Sequence, residues 1–224
     1  MRAGLIGALL IAVAVIAGGF IGNHIIAAVP SEDAAHLVNG ERVQAVSADN
    51  VREYLTPAQL DTAIRGGLLP AGTKSLLKTD GKMQHGQYEW HDDGVPPGKL
   101  TIWVDLRTQL ISVFRGGHEI GTSVIVYGAE TMQSPIGRFP ILSKHRDYHS
   151  RAYDAPMPYS MFLTTTGVAL HGSPMSSRRA THGCVGLPVQ FARLLFNSAK
   201  LGDEVRIVRS ETKAISAGAQ PAGS

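Results

Sequence analysis

Hydrophobic positions follow three regimes along this chain. From Leu5 to Gly22 they run without a single charged residue. From Leu100 to Val208 they alternate with polar residues or gather in short runs. Between the two, residues 31–55 are a polar, alanine-rich stretch with no sustained period. The alternation of Leu100, Ile102, Val104 and Leu106 with Thr101, Trp103 and Asp105 is the period of two expected of a half-buried strand. Leu110–Arg115, Ile120–Tyr127, Phe139–Leu142 and Val205–Val208 read as further strands. Met161–Thr165 and Val168–His171 read as a hairpin turning at Thr166-Gly167. The polar run from Ser143 to Pro158 reads as a long connection.

Two segments carry helical signals. Thr56-Pro57-Ala58-Gln59 joins a capping threonine, a proline at the first helical position and a glutamine three residues after the cap. Leu60, Ala63 and Ile64 then share one face, and Gly66-Gly67 stop the helix. The second helix starts at Pro188 and runs through Lys200, with Val189, Ala192, Leu195, Phe196 and Ala199 on one face and Gly202 as its stop. Residues 68–98 read as loop with one short strand near Tyr88-Trp90. The tail from Ser210, ending in SAGAQPAGS, reads as disordered. The chain thus divides into an N-terminal hydrophobic segment (1–30), a stalk and accessory segment (31–98), a mostly β domain (99–209) and a tail (210–224).

The first segment changes the cellular setting. Eighteen residues at 1.5 Å each make a helix of about 27 Å, near the roughly 30 Å of a bilayer's hydrocarbon core. Arg2 precedes it and Glu32 and Asp33 follow, which favours an N-terminus on the cytoplasmic side. An uncleaved anchor is favoured over a signal peptide, because the apolar run exceeds the roughly 7–15 residues usual in the latter. Both readings place the rest of the chain outside the cytoplasmic membrane, in the cell envelope.

Composition narrows the chemistry. In 224 residues there are 25 Gly and 12 Pro, an excess that suits turns and short strands. The net charge is only +3 and no dense Lys/Arg run exists, which argues against a nucleic-acid partner. The single cysteine, Cys184, excludes an intrachain disulfide scaffold and any all-cysteine zinc site. It stands in Thr181-His182-Gly183-Cys184-Val185-Gly186, just before the second helix. Upstream, Ala169-Leu170-His171-Gly172 ends a strand in a Gly/Ser/Pro loop. A thiol attacks only as thiolate, and the two histidines are candidate bases. Glycine beside the cysteine lets backbone N–H groups approach a developing oxyanion. On the residues alone, three readings stay open: a thiol enzyme, a tight turn with incidental histidines, and a metal site. His145 and His149 have an i, i+4 spacing, but basic neighbours Arg146 and Arg151 favour a solvated loop over metal binding there.

The pairing of His171-Gly172 with Thr181-His182-Gly183-Cys184 resembles the signature of the L,D-transpeptidases, whose catalytic domain is called YkuD-like. Ser134-Pro135-Ile136-Gly137-Arg138-Phe139 resembles that family's Thr/Ser-Pro-x-Gly-x-Phe segment, and Met157-Pro158-Tyr159 its Met-Pro-Tyr segment. The resemblance covers about Leu100 to Val208. It implies a mostly β sandwich with short helices, and cysteine acyl transfer on peptidoglycan stem peptides without a cofactor or metal. By carry-over, Cys184 is the nucleophile and His171 the proton donor and acceptor. His182 orients groups around the oxyanion site, and the N–H groups of Gly183 and Cys184 form the hole. Thr181, Tyr159 and Gly186 are expected along the substrate cleft. Carbapenem β-lactams are the implied inhibitors. The chain departs from the pattern in a short Gly172–Ala180 loop and in Gly186, where the family often carries Asn or Arg. Alternatives from other classes are a zinc hydrolase built on His171, His182 and Cys184, a thiol carboxypeptidase, and a non-catalytic wall-binding domain.

Overall fold

In the computed structural model the chain is described over residues 51–128, 132–175 and 181–211, together with a strand pair near the N-terminus. That pair, β1 (Leu37–Val38) and β2 (Glu41–Arg42), is antiparallel and belongs to a unit spanning Met1–Ala45. The expected membrane segment at Leu5–Gly22 lies outside the described residues. Among the described residues no helix is long and apolar enough to cross a membrane.

The second unit, Val46–Ser224, contains the segment that carries His171 and Cys184. After β3 (Arg52–Glu53), helix α1 (Pro57–Arg65) begins at Thr56, where both arms of the expected capping box are made. Strands β4 (Leu76–Leu77) and β5 (Tyr88–Trp90) follow, and β4 pairs with β3. Next come β6 (Leu100–Asp105), β7 (Leu110–Arg115), β8 (His118–Val124) and β9 (Gly137–Pro140). With β14 (Glu204–Val208) they form a sheet of order β5-β8-β7-β6-β14-β9. Strand β5, read from the sequence as part of the accessory segment, is the edge of this sheet.

A second sheet has the order β10-β11-β12-β13, from β10 (Ser143–Ser150), β11 (Ala155–Phe162), β12 (Ala169–Gly172) and β13 (Val185–Leu187). Helix α2 (Val189–Ser198) follows. The two sheets share one core. Ile102, Val104, Ile111, Val113, Ile120, Val205 and Ile207 come from the first, and Met161, Leu170, Val185 and Leu187 from the second. Phe191, Ala192 and Leu195 of α2 join them. This is a mostly β sandwich with two short helices, as the alternation and the resemblance imply.

Three sequence expectations need correction. The polar run from Ser143 is no loop: β10 and β11 pair antiparallel from Ser143↔Phe162 to Ser150↔Ala155. Its residues are polar because β10 is an edge strand with His145, Arg146, Asp147 and His149 exposed. Lys144 Nζ donates to the carbonyls of Phe196 (2.6 Å) and Ala199 (2.5 Å), so the hairpin caps the C-terminal end of α2. Secondly, Val185–Leu187 is a strand rather than a turn. Thirdly, the tail does not begin at Ser210, which is 5% exposed and donates to Asp105 through both its N–H (3.0 Å) and its hydroxyl (2.5 Å).

Candidate active site

Parallel pairing of β12 with β13 brings the two chemical segments together. Leu170 pairs with Val185, His171 with Gly186 and Gly172 with Leu187. Leu170 and Val185 face the core, both wholly buried. Side chains alternate along strands, so His171 and Gly186 face the other way. The same register carried one residue back sets Cys184 beside Ala169, on the face that carries His171. The Ala169 backbone lowers the Cys184 pKa, which agrees with that placement.

His171 is 7% exposed and its Nδ1 lies 2.9 Å from the Gly172 carbonyl. A carbonyl only accepts, so Nδ1 carries the proton and Nε2 is left with a lone pair in the neutral ring. Burial pulls the His171 pKa below the ordinary 6.5, against the smaller opposing effect of the Gly172 carbonyl. The ring is therefore neutral at pH 7, as a general base must be.

Cys184 is half-buried, and its Sγ donates to the Gly167 carbonyl at 3.5 Å. Burial raises its pKa above the ordinary 9.0, and the Ala169 backbone offsets part of that rise. Among the described residues no hydrogen bond joins Sγ to the His171 ring. The resting pair is thus a neutral thiol and a neutral imidazole on one sheet face.

Gly183 has φ of +96°, a conformation that side-chain-bearing residues rarely adopt. Neither the Gly183 nor the Cys184 N–H donates to an acceptor among the described residues. Two adjacent unbonded donors beside a thiol suit an oxyanion. The Cys184 carbonyl, by contrast, accepts from the hydroxyls of Thr181 and Ser134, the latter at 3.3 Å.

The other expected site residues make contacts of their own. His182 is exposed and its ring stacks on Tyr153 from the β10–β11 turn, with centroids 4.2 Å apart and planes at 12°. It does not join His171. Tyr159 packs edge-on against Phe196 at 5.8 Å, with Arg146 over its ring. Gly186 is buried and exchanges both backbone bonds with Val126, at 2.7 and 3.0 Å. A Cβ on Gly186 would lie 2.6 Å from Val126 Cγ2 and 2.9 Å from Ser173 Cβ, so the position is one of close packing. His145 and His149 lie on a strand, not on a helix, with Nε2 of His149 at 3.7 Å from Asp154. Among the described residues no group of three or more His, Cys, Asp and Glu side chains gathers as a metal site would require. The sequence reading missed Ala169, Gly167 and Tyr153, which carry no local signature, and quoted Ser134 only as part of a motif.

Comparison with known proteins bears on this geometry. Residues 99–207 match the family model described as the YkuD L,D-transpeptidase catalytic domain. Among solved structures, an L,D-transpeptidase from Stackebrandtia nassauensis is 20% identical, covering 71% of this chain and 70% of that one, with a TM-score of 0.48. An L,D-transpeptidase mutant from Enterococcus faecium is 27% identical, covering 50% of each chain at a TM-score of 0.45. One from Mycobacterium tuberculosis is 20% identical, covering 48% of this chain and 57% of that one, with a TM-score of 0.45. The match therefore spans about half the length of the last two. No protein of curated function matches the chain. On the family-model match, residues 99–207 are a YkuD L,D-transpeptidase catalytic domain.

Proposed function

We propose that this protein is a peptidoglycan L,D-transpeptidase in which Cys184 carries the acyl group. One observation carries the reading: the thiol and the imidazole share a face of adjacent strands, next to two N–H groups that donate to no acceptor among the described residues. In the proposed reaction Cys184 attacks the carbonyl that joins the third residue of a stem tetrapeptide to terminal D-Ala. His171 Nε2 takes the thiol proton as Sγ swings away from the Gly167 carbonyl, and passes it to the departing D-Ala amine. The N–H groups of Gly183 and Cys184 receive the oxyanion. An acceptor amine then gives His171 its proton and attacks the thioester, the C–S bond breaks as the cross-link forms, and His171 returns the proton to the departing Cys184 thiolate. Water in its place gives carboxypeptidase activity. The N-terminal apolar segment suits export, with the domain acting in the cell envelope outside the cytoplasmic membrane.

Carbapenems are proposed inhibitors, since a strained lactam carbonyl offers Cys184 the same geometry as the stem-peptide carbonyl. Incubation of the purified protein with a carbapenem should add one drug mass per chain, on the peptide that contains Cys184. A chelator should leave that reaction unchanged. Muropeptide mass spectrometry should show D-Ala release and a new cross-link, both abolished in Cys184→Ala. Cross-linking that survives Cys184→Ala, or that stops only on chelation, would point instead to a zinc hydrolase.

A further inference from the structure

The carbonyl of the proposed nucleophile is held on both lone pairs by hydroxyl groups from different parts of the chain. Ser134 is 4% exposed and stands 50 residues before Cys184. Its Oγ accepts the Gly128 N–H at 3.1 Å and donates to the Cys184 carbonyl at 3.3 Å. Thr181 donates to the same carbonyl from within the loop. Both ends of the loop are fastened to the segment 126–128. The Thr181 N–H donates to the Tyr127 carbonyl at 3.1 Å, and Gly186 exchanges two bonds with Val126. Gly128 pairs with Thr181 as a parallel bridge, and a Cβ on Gly128 would lie 2.0 Å from the Met132 carbonyl oxygen. Ser134 thus reaches the middle of a loop whose ends are already fixed.

We propose that Ser134, together with Thr181, is a positioning residue that keeps the Cys184 peptide turned so that the Gly183 and Cys184 N–H groups point at the oxyanion. The inference rests on the transpeptidase reading above. With both hydroxyls removed the chain can turn about ψ of Cys184, and this swings the Cys184 N–H, its side chain and the preceding Gly183 peptide together relative to β13 and His171. An oxyanion hole works only with donors about 2.7–3.1 Å from the charge, so a small turn is felt mainly in the transition state. Simple alkylation of the thiol develops no oxyanion and does not use these donors.

The test compares wild type, Ser134→Ala, Ser134→Thr and Thr181→Val as full-length chains. Each is assayed for the acylation rate by a carbapenem, the alkylation rate by iodoacetamide at the same pH, and the melting temperature. Ser134→Ala and Thr181→Val should each slow acylation about 10- to 100-fold, less than the full loss of a hole donor. Alkylation should stay within about threefold of wild type, since it needs the thiolate but not the hole. Ser134→Thr, which keeps the hydroxyl, should recover most of the acylation rate. Acylation at the wild-type rate in both hydroxyl-free variants overturns the inference. So does a parallel fall of alkylation and melting temperature, which marks a merely structural role. Absence of any adduct on wild-type Cys184 overturns the transpeptidase reading itself, and the inference with it.

Discussion

At the scale of single residues, Cys184 and His171 are displaced in opposite directions by the same cause. Burial disfavours charge, so the thiol rises above 9.0 and the imidazole falls below 6.5. A standing thiolate–imidazolium pair is therefore disfavoured, and in the proposed mechanism the proton moves when substrate brings the carbonyl and the imidazole into line. The acid limb of carbapenem acylation against pH should accordingly lie below 6.5, because His171 must be neutral to act. A limb at or above 6.5 would contradict the depressed base. His171→Gln should slow acylation about 10²–10⁴-fold, the usual worth of a general base. Iodoacetamide alkylation of the resting thiol should change little in that variant, since no hydrogen bond joins Sγ to the ring.

At the scale of elements, a glycine governs how α2 seats on the first sheet. Gly121 of β8 lies under the Trp90 indole, where a Cβ would come within 2.3 Å of Trp90 Cε3 and 3.2 Å of Phe191. Trp90 and Phe191 meet edge-on at 5.5 Å, and Phe191 is the buried anchor of α2. Gly121→Ala should destabilise the fold by about 1–3 kcal/mol, the usual cost of overpacking a core. Denaturant unfolding measures this directly, and an unchanged midpoint would mean that Trp90 yields freely. The β10–β11 hairpin shows why element reading from sequence fails where it does. Pro156 and Pro158 lie in β11, residues that ordinarily argue against a strand. They are tolerated because β11 pairs with β12 only at Met161 and Phe162, leaving the prolines paired on one side. Tyr159 takes φ of +56° between Pro158 and Ser160, which breaks the alternation further.

At the scale of the whole molecule, buried polar and charged groups tie residues 51–98 to the six-stranded sheet. Arg52 is 6% exposed and donates to Ser75 Oγ (3.1 Å) and to the carbonyls of Glu119 (2.8 Å) and His91 (3.1 Å). Glu119, itself 4% exposed, accepts the Leu77 N–H of β4 at 2.8 Å. Burial raises its pKa from 4.5 to about 7, despite the opposing Ser112, Leu77 and Arg52. Between those values the folded carboxyl holds a proton that the unfolded one releases. Folded chains thus bind more protons there, and stability falls as pH rises through that window, levelling off above about 7. The melting temperature should follow that course, and Glu119→Gln should flatten it. A wild-type curve already flat between pH 4.5 and 7 would rule out this role for Glu119.

Amino-acid order alone determined whatever depends on neighbours in sequence. The capping box at Thr56, the strands from Leu100 and the α2 face from Val189 were legible because periodicity and caps are local. So was the chemical pair His171 and Cys184, since reactive residue types beside glycine are rare enough to stand out. Tertiary structure alone decided what depends on register and burial. Parallel pairing of β12 and β13 puts base and thiol on one face, a relation invisible across the intervening loop. Close packing at Gly186 was likewise decided there, because Val126 and Ser173 occupy the space a side chain would need. Ser134 meets Cys184 only because the chain returns after 50 residues, and Ser210 is ordered only because Asp105 awaits it. Hydrogen bonds between distant segments leave no periodic trace in sequence, so these contacts exist only in the folded chain.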